Sequence, residues 1–151
     1  MATQEKTSAA ITDLIVINND RYEGYKTASQ ETKEADLKEL FNSYSVQSNG
    51  FAGELRQFVP AGEDQPKRDE TKTTGKLFRT WMDLKAAVTG NDRKAILSSC
   101  EFGEDTAKKH YKDALEHTED IAPEALEIVR KQSAELQKAH DRIKALRDAA
   151  K

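Results

Sequence analysis

The chain has 151 residues, 34% charged and 36% hydrophobic, a size and balance that suit one domain around a single core. Lys and Arg number 24 against 27 Asp and Glu, for a formal net charge of -3 and a pI near 5.7, so the electrostatic footprint of a nucleic-acid binder is missing. The single cysteine, Cys100, excludes an internal disulfide framework and a cysteine-cluster metal site. The longest apolar run, Leu14 to Ile17, is far short of the roughly 20 residues of a membrane span, and Met1 to Ala10 lacks the basic start and apolar core of a secretory signal. These features predict a soluble cytoplasmic protein that binds neither nucleic acid nor membrane.

Apolar residues at steps of three and four predict a first helix from about Ser8 to Ala28 and a second from about Thr32 to Phe58. Val59 to Thr74 sets Pro60, Gly62 and Pro66 among charges and threonines and reads as a loop. From about Thr74 to Val88 the period returns. Leu77, Phe78, Trp81, Leu84 and Val88 form one apolar stripe there, which predicts a short helix laid across its neighbours. Gly90 supplies a stop and Asp92 a cap before a helix to about His117, and Pro123 opens a last helix to about Ala149. With no alternating run rich in Val, Ile and Thr, no strand is predicted. Two helices, a long connection and two more helices describe an all-α four-helix bundle over residues 1–151, with a crossover that carries the extra short helix.

Helical phase then places each polar residue against the stripe of its own helix. Ile11, Leu14, Ile15, Tyr22 and Tyr25 define the first stripe, with Asn18 at its centre and Asp20 and Glu23 pointing away. In the second helix Gln47 lies near the middle of the stripe and Glu54 on its shoulder. Glu104 sits within the stripe of Ile96, Leu97, Cys100, Ala107, Tyr111 and Ala114, with Glu101 on the flank. In the last helix Gln132 and His140 lie one turn either side of Leu136. A buried carboxylate needs a partner, and Gln132, His140 or a tyrosine such as Tyr22 is the expected one for Glu104. Asn18, Gln47, Glu54, Glu104, Gln132 and His140 together suggest either a polar layer that fixes register or a metal site between helices.

Other residues suggest less. Cys100 reads as a small buried hydrophobe, and His110 and His117 as solvated. Gly50, Gly53 and Gly103 inside helices call for compensation, such as a close helix crossing or docking of the Trp81 helix. No glycine-rich phosphate loop, serine nucleophile motif or metalloprotease histidine pair is present.

The run Trp81-Met82-Asp83-Leu84-Lys85, then Thr89-Gly90, Cys100-Glu101-Phe102-Gly103-Glu104-Asp105, Tyr111 and Ala114-Leu115 resembles an uncharacterised bacterial family of four-helix-bundle proteins in the ferritin-like superfamily. The ending His140-Asp141-Arg142 with Leu146-Arg147-Asp148 is similar to the same family. The resemblance implies a ferritin-like bundle without implying an activity. Iron-oxidising members of that superfamily turn inward a Glu from two helices and a Glu-x-x-His pair from the other two. Here Asn18 stands in the first place, Glu54 is followed three residues later by Gln57, and Glu135 by Lys138. The leading expectation is therefore a non-enzymatic bundle without a cofactor. One alternative is a diverged iron or manganese protein with Glu54, Glu104 and His140 as ligands. A second is an interaction module that binds a partner protein through the Trp81 helix. A homodimer through a helix face is the expected assembly.

Overall fold

Buried residues recur in each long helix at steps of three and four, the spacing that keeps one seam turned toward neighbouring helices. The structure, a computed structural model, describes residues 4–59 and 92–150. It contains helices α1 (Gln4–Glu31), α2 (Ala35–Arg56), α3 (Arg93–Leu115) and α4 (Pro123–Ala149), with a 3₁₀ turn at Thr118–Asp120 between the last two. Among the described residues there is no strand. The seam of α1 is Ile11, Leu14, Asn18, Arg21, Tyr25 and Ala28; that of α3 is Leu97, Cys100, Glu104, Ala107 and Tyr111. Leu37, Phe41, Tyr44, Ser48 and Leu55 supply α2, and Ala125, Val129, Gln132, Leu136, Ala139 and Ile143 supply α4.

Contacts at the helix ends fix the directions. Thr7 Oγ1 accepts a hydrogen bond from the Ala122 N–H at 3.0 Å and donates to the Asp120 carbonyl at 3.3 Å, so α1 and α4 start at the same end. At the other end Arg93 grips Asp36 at 2.7 and 3.1 Å and Glu34 at 3.1 Å, which joins the starts of α2 and α3. The helices therefore run up, down, down, up, and residues 60–91 link the end of α2 to the opposite end of the bundle. That is the arrangement of a bundle with one crossover. The predicted helix of Thr74 to Val88, with Trp81, lies outside the described residues.

Local signals account for most boundaries. Asp92 Oδ1 accepts from the N–H groups of Lys94 and Ala95 at 3.1 and 3.3 Å, and Pro123 occupies the first turn of α4. Between α1 and α2 the expected break at Ala28 falls later. The Thr32 N–H still bonds the Ala28 carbonyl at 2.9 Å, and Thr32 Oγ1 then accepts from the Glu34 N–H at 3.3 Å. Thr32, Lys33 and Glu34 thus make the link without Gly or Pro, using a threonine side chain as the turn. Gly50 and Gly53 correct another expectation. Both are exposed, and a Cβ added to either would meet nothing within 4 Å among the described residues, so no close crossing of the described helices compensates them; docking of the Trp81 helix lies outside the described residues.

Asp20 is also corrected. It is only 3% exposed, because α1 is buried around its whole circumference from Leu14 to Arg21. Phase arithmetic assumes a solvent face, and this stretch has none.

Candidate functional site

Steps of three and four residues put Asn18, Arg21 and Tyr25 on one face of α1, and from α3 Glu104 meets that face. Arg21 and Glu104 are both fully buried. The Arg21 Nε–H donates to Glu104 Oε1 at 2.7 Å, and the Tyr25 hydroxyl donates to the same oxygen at 2.6 Å. On its other side Nη1 of Arg21 reaches Ser48 Oγ at 2.7 Å, Gln47 Oε1 at 2.9 Å and the Tyr44 carbonyl at 3.4 Å. The guanidinium carbon lies 5.2 Å from the ring centroids of both Tyr25 and Tyr44, so the cation also sits between two π faces.

Burial is the largest single influence and disfavours the guanidinium charge, but the charge and hydrogen bond of Glu104 together with Tyr25 and Tyr111 outweigh it and hold the pKa of Arg21 above its ordinary value. Burial and then the Glu104 charge push the Tyr25 hydroxyl well up, which keeps it protonated and able to donate. The same two causes raise the fully buried Cys100 thiol, so it behaves as the small apolar residue expected and not as a nucleophile.

From Arg21 a hydrogen-bonded chain crosses to the far side of the bundle. Ser48 Oγ accepts from Arg21 and donates to Asn18 Oδ1 at 3.0 Å; Asn18 Nδ2 donates to the Tyr111 hydroxyl at 2.7 Å. Tyr111 donates to Gln132 Oε1 at 2.7 Å, and Gln132 Nε2 donates to Glu54 Oε1 at 3.1 Å and the Phe51 carbonyl at 3.2 Å. Every donor in the chain points from the Arg21 cation toward the Glu54 carboxylate, so each bond polarises the next. Burial raises the Tyr111 pKa and keeps that hydroxyl a donor. The layer is not fully satisfied: Arg21 Nη2 and Glu104 Oε2 are buried without a hydrogen-bond partner among the described residues.

Of the polar residues singled out by helical phase, Asn18, Gln47, Glu54, Glu104 and Gln132 join this layer. His140 does not. Its Nε2 lies 2.8 Å from Asp105 Oδ1 and its Nδ1 3.2 Å from Asp141 Oδ1. Glu104 pairs with Arg21 and Tyr25 in place of the expected Gln132, His140 or Tyr22. Among the described residues, the group of carboxylate, imidazole and thiol donors that all lie within 4.8 Å of one another is Glu101, Asp105 and His140, so Glu54, Glu104 and His140 are not brought together. His110, expected to be solvated, is 28% exposed and bridges to Asp13 at 2.9 Å.

Arg21 and Ser48 were not legible as charge or size. The signal that marks them is position, because each occupies a seam step: Arg21 between Asn18 and Tyr25, Ser48 between Tyr44 and Leu55.

The fold and this layer define a class: an all-α four-helix bundle with a charged pair in its core and a hydrogen-bonded chain that runs from it to the exposed Glu54. Residues 6–117 match the model of a family described as a domain of unknown function (DUF2383), and the protein belongs to that family. No curated protein and no solved structure matches the chain. Among the described residues no helix is long and apolar enough to cross a membrane.

Proposed function

We propose that the protein is a ferritin-like bundle of the bacterial cytoplasm that acts without catalysis, and that its buried polar layer fixes the register and order of the helices. The observation that carries this reading is the Arg21–Glu104 pair, 2.7 Å apart and fully buried. A guanidinium already balances Glu104, the acid fully buried in the α3 seam, and the amides at the seam centres of α1 and α4, Asn18 and Gln132, are neutral and engaged with Tyr111. This set does not fit a two-iron centre, which calls for several inward carboxylates and imidazoles.

Energetics favour the same reading. A buried ion pair with unsatisfied atoms is no more stable than a well-packed apolar pair, so its best-supported use is to specify one arrangement. The Arg21–Glu104 bond sets the height of α1 against α3, Ser48 sets α2 against α1, and Gln132 sets α4 against α2 and α3.

The double variant Arg21→Met/Glu104→Leu tests the proposal. It should fold and melt no lower than the wild type, yet show broadened or duplicated amide resonances as the helices sample more than one register. One sharp set of resonances with wild-type interhelical contacts would sink the register reading.

A further inference from the structure

Outside the buried layer, a second cluster lies where α3 meets α4. Glu101 and Asp105 stand four residues apart on α3, which puts both carboxylates on one face, and His140 reaches them from α4. We propose that Glu101, Asp105 and His140 form a site for one first-row divalent cation that accepts imidazole and carboxylate together, with Zn²⁺ as the type ion.

The donor set is one nitrogen and two oxygens carrying two negative charges, which matches such a cation in hardness and in charge. One donor atom from each residue already lies within 4.8 Å of the others. Around a tetrahedral ion with bonds of about 2.1 Å the ligand atoms stand about 3.4 Å apart, so side-chain rotation is enough to close the site.

The surroundings are those of a ligating imidazole. Asp141 Oδ1 lies 3.2 Å from Nδ1 of His140, and Gln137 Nε2 donates to that same oxygen at 2.9 Å, so the carboxylate behind the ring is itself held. This fixes the ring and leaves Nε2 facing Asp105 and Glu101. The His140 and Glu101 side chains are only 12% and 15% exposed, whereas Asp105 at 55% faces solvent and gives an ion its way in.

In the protein without a cation the same groups satisfy one another. His140 pairs with Asp105, and Arg147 pairs with Oε2 of Glu101. Arg147 is thus a competitor for one ligand, which gives the site a signature that a plain salt-bridge network lacks. The site shares no residue with the layer around Glu104, so it stands or falls independently of the register reading.

Titration of the full chain with Co²⁺, followed by its visible d–d absorbance, and displacement by Zn²⁺ test the proposal. One ion per chain is expected. His140→Ala and Asp105→Asn should each weaken binding at least tenfold, and Arg147→Gln should tighten it about threefold by freeing Glu101. His110→Ala, which removes an imidazole paired with Asp13, should leave binding within twofold of wild type. No binding at millimolar Co²⁺, binding undiminished in both His140→Ala and Asp105→Asn, loss in His110→Ala, or weakening in Arg147→Gln would overturn it.

Discussion

Arg21 and Glu104 each carry a charge into a region without solvent, and each is tolerable only because the other is there. A lone acid at position 104 would give way to leucine without penalty, since a packed apolar side chain often matches a buried charge. With Arg21 beside it the sign changes, because Glu104→Leu strands a guanidinium that keeps only neutral partners. Glu104 was legible in the sequence as a polar residue inside an apolar stripe. Its partner was not, because a long basic side chain in a helix reads as a solvated one, and only the spacing Asn18, Arg21, Tyr25 betrays it.

The protonated groups around the pair give a pH prediction. Tyr25, Tyr111 and Cys100 are fully buried and held above their ordinary values of 10.0, 10.0 and 9.0, by burial in each case and then by the Glu104 charge for Tyr25 and Cys100. The unfolded chain therefore releases these protons first. Their contribution is complete below pH 9 and is lost as pH rises, by about 1.4 kcal/mol per pH unit for each group, or up to about 4 kcal/mol per unit above pH 10. Urea unfolding between pH 7 and 11 should show stability level to about pH 9 and then falling steeply. A curve that stays level to pH 11 would contradict the buried, neutral state of all three.

At the scale of elements, the helices were legible because apolar spacing, the Asp92 cap and Pro123 all agree. α4 spans Pro123–Ala149 as predicted, and α3 ends within two residues of its predicted end. The α1–α2 link was less legible, since a threonine side chain makes that turn where no glycine or proline marks it. α2 carries an unforced weakness. Gly50 and Gly53 lie in its interior, exposed, and no described residue stands within 4 Å of the position of a Cβ. Alanine loses less backbone freedom there, so Gly50→Ala and Gly53→Ala should each stabilise the protein by about 0.5–1 kcal/mol, additively if the sites are independent. Chemical denaturation reads this directly. A loss of stability in either variant would show that the glycine meets a neighbour after all.

For the whole molecule, the up, down, down, up order follows from contacts at the two ends, Thr7 with Ala122 and Arg93 with Asp36. The sequence implied the same order through one long connection between helices of similar length. What it could not reveal is how the polar residues pair, because phase within a helix says which residues face inward and nothing about which inward residues meet. That pairing carries the central claim, that Arg21 and Glu104 act as one charge-balanced unit locking α1 to α3. A double-mutant cycle with Arg21→Met, Glu104→Leu and the double variant, measured by urea unfolding at pH 7, tests it most directly. Each single change should cost about 3–5 kcal/mol by leaving the other charge buried and unpaired, and the double change should cost little or nothing. Strictly additive losses, with the double variant the least stable of all, would contradict the account.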